Sequence, residues 1–197
     1  MTTKVGRAFG FFLRFLRHPG QVGALWPSSR HLAQAMVAGI ELAPGDVVVE
    51  FGPGLGPFTA LLRETMPRGV RYLGIELDPK FYRHLTERFP DLAFHHGSAD
   101  EADVVLERMG LPKAKLILSG LPFASFPHDL QARILDATQR ALRPDGLFRT
   151  FTYVGIGAAT AAGKRFRRMM RERFARAWQS KPVLRNVPPA YVLSYQP

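Results

Sequence analysis

Val47-Val48-Val49-Glu50-Phe51-Gly52-Pro53-Gly54-Leu55-Gly56 is an apolar strand pattern that runs straight into a glycine loop. Three β-branched residues in succession suit a strand covered on both faces. Glycines at 52, 54 and 56 let the following backbone turn tightly and come close to a ligand. Such a loop carries meaning only when a helix follows it and an acidic residue closes the next strand. Both conditions are met: Pro57–Thr65 has helical patterning, and Glu76 closes Tyr72-Leu73-Gly74-Ile75. At that position the Glu76 carboxylate can accept both hydroxyls of a ribose.

Glu50 narrows the choice of nucleotide. A carboxylate directly ahead of the loop attracts an amino or sulfonium group and repels a pyrophosphate. That favours S-adenosylmethionine over a dinucleotide. A glycine turn with an unrelated acid is the plainer alternative, and it leaves the three-way coincidence unexplained.

Outward from this loop, strand patterns alternate with helical ones. The strands are Val47–Phe51, Tyr72–Glu76, Ala93–His96, Leu116–Ser119 and Leu147–Tyr153, with Ala175–Trp178 and Tyr191–Tyr195 as a possible antiparallel pair. The helices are Arg30–Ile40, Pro57–Thr65, Pro79–Phe89, Ala102–Met109 and His128–Leu142, and Pro144-Asp145-Gly146 reads as a turn. This alternation predicts a doubly wound α/β domain. The length of 197 residues and the 46% hydrophobic content suit one globular domain with a single substantial core.

The chain has no cysteine, which excludes disulfides and thiolate metal sites and fits a reducing cytoplasm. Its histidines show no metal-ligand spacing. Net charge is +11, a field that favours a polyanionic partner, either nucleic acid or an anionic membrane. The longest uncharged stretch, Thr150 to Gly163, is too short to span a bilayer, which takes roughly 20 apolar residues. Arg14 and Arg17 interrupt the only apolar core a secretory signal could use, so none is expected.

The run Glu50 to Thr59 resembles the first motif of class I S-adenosylmethionine-dependent methyltransferases. It is similar above all to the branch holding the ribosomal RNA adenine dimethylases and the bacterial phospholipid N-methyltransferases of the PmtA type. The resemblance implies a Rossmann-like, seven-stranded fold. It also implies a cofactor site made by Glu50, Phe51, Gly52, Pro53, Gly54, Gly56, Glu76, Leu77, Ser98, Ala99 and Ser119. In it Leu77 lies against the adenine ring, and Gly97-Ser98-Ala99-Asp100 is the third motif. Ser119-Gly120-Leu121-Pro122-Phe123 resembles the fourth motif, which faces the acceptor.

The fourth motif divides the branch. RNA adenine dimethylases carry an asparagine there, whose amide holds the adenine amino group; Ser119-Gly120 lacks it, and Gly120 leaves room for a bulkier amine. The dimethylases also carry a C-terminal helical domain, for which no room is expected here. Gly23-Ala24-Leu25-Trp26-Pro27-Ser28-Ser29 and the stretch from Ser180 to Ala190 resemble the phospholipid enzymes, and the likeness runs from about residue 10 to 195. It implies methylation of phosphatidylethanolamine, and of its mono- and dimethyl derivatives, towards phosphatidylcholine. An RNA adenine methyltransferase is the second reading, and a cofactor- or membrane-binding module without activity the third.

The N-terminus supports the lipid reading from its own pattern. On a helix over residues 4–17, Val5, Ala8, Phe9, Phe12, Leu13, Phe15 and Leu16 share one half, and Lys4, Arg7, Arg14 and Arg17 the other, with Phe11 the one aromatic out of place. Such a helix lies in a membrane interface, each cation contributing on the order of 1 kcal/mol near an anionic surface; packing on its own domain is the plainer use. The expected organisation is therefore a membrane-binding helix over 1–20 followed by a methyltransferase domain over 21–197. A monomer is expected, peripheral to the inner face of the cytoplasmic membrane, with no nucleic acid partner. The basic run Lys164 to Arg173 suits lipid and RNA equally.

For the chemistry, an ammonium proton must leave before the amine attacks a methyl group. Tyr153 is the candidate base, and the carbonyls of Ser119, Gly120 and Leu121 are candidates to orient the amine. Pro122 and Phe123 border the acceptor. Trp26 can hold a methylated headgroup by cation–π attraction or simply pack. Arg185 can pair with a lipid phosphate or be a surface residue. Ser28 and Ser29 reach the cofactor carboxylate or cap the helix that starts at Arg30.

Overall fold

The computed structural model describes residues 29–154 and 161–197. The helix expected over 4–17, with Trp26 and Ser28, lies outside them. Within them the chain runs α1 (Arg30–Val37), β1 (Val47–Phe51), α2 (Pro57–Thr65), β2 (Arg71–Glu76), α3 (Pro79–Arg88), β3 (Ala93–His96) and α4 (Ala102–Arg108). There follow β4 (Ala114–Ser119), α5 (His128–Ala141), β5 (Leu142–Tyr153), α6 (Ala161–Arg173), β6 (Arg176–Gln179) and β7 (Ala190–Gln196).

The strands form one seven-stranded sheet in the order β3-β2-β1-β4-β5-β7-β6. β1 to β5 are parallel, whereas β7 runs antiparallel to both β5 and β6. The expected Rossmann-like α/β fold is thus the observed one. Strand order reverses between β1 and β4, and a doubly wound sheet opens its ligand crevice at the carboxyl ends beside that point.

Every residue of β1 is buried because both sheet faces are covered. Val47, Val49 and Phe51 join a core with Ile117, Phe148 and residues of α4, α5 and α6. Val48 faces the other way, into a cluster with Leu32 and Met36 of α1 and Phe58, Leu61 and Leu62 of α2. Buried Arg149 of β5 ties that second layer down. Its guanidinium donates to Met36 O (3.0 Å) and Ala38 O (2.7 Å) at the end of α1, and to Ser194 Oγ (3.1 Å) on β7.

Two local features differ from the sequence pattern. The turn expected at Pro144-Asp145-Gly146 is absorbed into β5, which starts at Leu142 and shifts register against β4 between Ala114 and Leu116. Asp145 holds the irregular stretch through Arg143 (2.9 Å) and Lys115 (2.8 Å). The basic run is one side of α6: Phe166, Met169 and Met170 pack into the core while Lys164, Arg165, Arg168 and Arg171 stay exposed.

Candidate active site

Backbone hydrogen bonds sew three loops to the carboxyl edge of the sheet. Gly52 N donates to Ile75 O (2.9 Å), Gly97 N to Glu76 O (3.1 Å) and Gly120 N to Phe51 O (3.0 Å). The glycine loop, the loop after β3 and the loop after β4 therefore meet at the switch point. Between them opens a cleft of about 540 Å³, partly continuous with solvent. Gly52, Glu76, Leu77, Ser98, Ala99 and Leu121 line it, so residues expected from four separated stretches are brought together. Ile75, Gly97, Phe126, Leu130 and Ile134 complete the wall. The last two were legible only as apolar positions on a helix.

Glu76 is buried at the end of β2 with its carboxylate held at both oxygens. Gly54 N donates to Oε2 and Asp78 N to Oε1, each at 2.9 Å. Burial raises its pKa above the usual carboxylate value, against the pull of those two donors. Each oxygen keeps a lone pair for a further hydroxyl. Gly54 itself has φ +60°, and a Cβ there would meet nothing within 4 Å among the described residues, so its surface faces open space.

Glu50 lies one residue ahead of the loop, on the side of the sheet that faces α2. It is fully buried. Tyr72 Oη donates to its Oε2 at 2.6 Å and Thr59 Oγ1 at 2.8 Å, while Oε1 has no partner among the described residues. Burial pushes the carboxyl up to about 7, even though both donors favour the charged form. A buried carboxylate with one unpartnered oxygen is matched to a cationic group. Tyr72 and Thr59 escaped the sequence reading, because nothing in the spacing says that β2 and α2 aim hydroxyls at one atom.

These features fit a nucleoside cofactor with a cationic amino acid end: an open cradle at Gly54, a carboxylate in the cleft at Glu76, and a buried carboxylate with one unpartnered oxygen at Glu50, directly ahead of the loop. Among the described residues no cluster of acids and histidines could hold a metal.

The loop after β4 is built from within. Ser119 is fully buried, and its Oγ accepts from Leu121 N (3.2 Å). Phe123 N donates to Leu121 O (3.0 Å). A Cβ on Gly120 would stand 3.2 Å from Gly52 O, so glycine there lets the two loops touch. Phe123 points into the core, stacked on Phe166 with ring centroids 4.8 Å apart. Pro122 remains half-buried at the loop.

The other expected residues are more scattered. Tyr153 ends β5 on the α1–α2 side, edge-on to Phe151 (5.5 Å), and burial pushes its phenol up to about 12. At neutral pH it keeps its proton. Ser29 caps α1 through Leu32 N (3.1 Å), and its own N–H donates to Asn186 Oδ1 (2.9 Å). That bond joins the start of α1 to the stretch ending at Ala190. Arg185 is exposed on the loop that carries Asn186.

No family model matches the chain. It is 35% identical over 147 residues to the ornithine lipid N-methyltransferase of Singulisphaera acidiphila, covering 73% of this chain and 77% of that one. It is 29% identical over 104 residues to ribosomal RNA small subunit methyltransferase A of Chlorobium phaeobacteroides, but spans only 37% of that protein. Solved structures share the fold at low identity. The Bacillus cereus O-methyltransferase, in complex with S-adenosylhomocysteine, superposes with TM-score 0.64 at 12% identity, covering 97% of this chain and 91% of that one. Aeropyrum pernix fibrillarin, with natively bound S-adenosylmethionine, gives 0.60 at 15%, covering 83% and 72%. S-adenosylmethionine is thus the expected cofactor of the cleft. Matched over most of its length to a lipid N-methyltransferase, the chain belongs to that enzyme's family among the class I S-adenosylmethionine-dependent methyltransferases.

Proposed function

We propose that this methyltransferase acts on the amine headgroup of a membrane phospholipid, converting phosphatidylethanolamine by one or more rounds towards phosphatidylcholine. The observation that carries this reading is the loop after β4. Ser119 carries a hydroxyl whose oxygen accepts from Leu121 N–H, and Gly120 has no side chain. Nothing at either position offers the amide that would hold the edge of an adenine. The RNA methyltransferase relatives therefore support the cofactor half of the molecule more than the acceptor half.

When bound, S-adenosylmethionine supplies an electrophilic methyl group, which a neutral amine takes in line as the carbon–sulfur bonding pair leaves with sulfur. Glu76 accepts the ribose hydroxyls, Leu77 covers the adenine, and Ser98 and Ala99 line its edge. Glu50 meets the cationic methionine end from below. The apolar wall of Leu121, Phe126 and Leu130 disfavours an ammonium, so the amine gives its proton to solvent on entry. Tyr153 serves as a hydrogen-bond donor, since it holds its own proton at neutral pH. Trp26, Pro122 and Arg185 contact the headgroup, and Ser28 the cofactor carboxylate. Residues 4–17 hold a monomer at the inner face of the membrane; no helix among the described residues is long and apolar enough to cross one.

Ornithine lipid is the second acceptor, favoured by the 35% identity to an enzyme named for it. Labelled cofactor is incubated with phosphatidylethanolamine, ornithine lipid or ribosomal RNA, and the label is traced. Label in phosphatidylethanolamine supports the first reading, and label in ornithine lipid alone replaces its substrate. Label in RNA alone overturns both.

A further inference from the structure

The loop before β7 presents apolar side chains to solvent at the same end of the sheet as the cleft. β7 runs antiparallel to β5, with Ala190 paired to Tyr153, so the chain ahead of Ala190 lies at the carboxyl edge. Val154 N donates to Pro189 O (2.8 Å) and Val183 N to Ala190 O (2.7 Å), closing the base of the loop. Its inside is filled by Asn186, which is 2% exposed. Asn186 Nδ2 donates to Pro188 O (2.7 Å) and Oδ1 accepts from Ser29 N (2.9 Å).

With the interior so occupied, Leu184 and Val187 point away from the fold. They are 73% and 65% exposed, more than any other large apolar residue described. Neither closes the loop, and a turn of this kind is ordinarily polar. Exposed Lys181 and Arg185 flank them, and after Glu172 the sequence holds no acidic residue. Leu55, Leu77 and Val154 are exposed at the same edge. Protruding aliphatic side chains flanked by cations match an anionic bilayer, acyl chains below and headgroup phosphates above.

We infer that the Val183–Pro189 loop is a membrane-contact loop: Leu184 and Val187 enter the acyl region, Lys181 and Arg185 meet anionic headgroups, and the cleft mouth is thereby set against the bilayer. The inference rests on the lipid-acceptor reading. It adds a contact made by the catalytic domain itself, separate from residues 4–17. The Asn186–Ser29 bond fixes the loop to the start of α1.

The chain has no cysteine, so Leu184→Cys and Val187→Cys each offer one thiol for an environment-sensitive fluorophore, with Val104→Cys on α4 as the control. On vesicles of phosphatidylethanolamine and phosphatidylglycerol, emission should shift to the blue at 184 and 187 and stay unchanged at 104. No shift at either loop position, or blue emission there before vesicles are added, overturns the inference; the latter means the chain itself covers the loop.

The double variant Leu184→Asp/Val187→Asp should lose vesicle methylation about tenfold or more, as expected for two aliphatic side chains denied burial. It should methylate monomeric short-chain phosphatidylethanolamine within about twofold of wild type, a margin well inside one such burial. Equal loss on both substrates also overturns the inference. A wild-type protein that methylates neither form refutes the proposed function instead, while the fluorescence still reports on the loop.

Discussion

Glu50 gives the sharpest quantitative test of how the cofactor is held. In the folded protein its carboxyl titrates near 7 against an ordinary 4.5, chiefly because it is fully buried. The fold therefore binds this proton more tightly than the unfolded chain does. Raising the pH from about 4.5 to about 7 should cost the cofactor-free protein on the order of 3 kcal/mol of stability, lost completely above that window and retained below it. A cationic cofactor end needs Glu50 ionised, so binding below pH 7 must expel the proton. Affinity for S-adenosylhomocysteine should then rise more than about tenfold between roughly pH 5.5 and 7.5 and flatten above.

Tyr72 and Thr59 donate to Glu50 Oε2, and Glu76 opposes its ionisation by charge. Removing the 2.6 Å bond with Tyr72→Phe forfeits about 1.5–3 kcal/mol of support for the carboxylate. The rise should move to about pH 8 or beyond, leaving affinity at pH 7 about fivefold weaker or worse. Calorimetry in two buffers of different ionisation enthalpy measures both affinity and released protons. A wild-type affinity flat across the range, or a Glu50→Gln variant that keeps the rise, refutes the assignment.

Three further outcomes follow from the geometry. Glu76→Ala should weaken cofactor binding by more than about tenfold while leaving the Gly54 and Asp78 N–H groups without their acceptor, at about 1–3 kcal/mol of stability; unchanged binding by calorimetry would put the ribose elsewhere. Gly54→Ala adds a methyl to the open cradle at φ +60°, a conformation that costs L-residues about 1–2 kcal/mol, so affinity should fall more than folding stability. Arg149→Met removes the donors to Met36 O, Ala38 O and Ser194 Oγ and should lower stability by about 2–4 kcal/mol in urea unfolding, with cofactor affinity of the folded protein nearly unchanged.

The cofactor half of the molecule was legible from residue order because its meaning is local. A β-branched run, positive-φ glycines and an acid at the next strand end act within one βαβ unit, where chain neighbours are also spatial neighbours. Glu50, Gly54 and Glu76 were therefore singled out by number, five strands by their alternation with helices, and the last two strands as an antiparallel pair. The exceptions were the Pro144-Asp145-Gly146 segment, where pairing with β4 overrode turn propensity, and Phe123, whose place in the acceptor motif concealed that it packs on Phe166. Only the folded chain brings Tyr72 and Thr59 to one oxygen of Glu50, joins Asn186 to Ser29, and turns Leu184 and Val187 outward at the same end of the sheet as the cleft. Each of these depends on strand register and on which side of the sheet a residue faces. A sequence read along its length encodes the alternation of faces, but the pairing of distant segments is decided by packing them together.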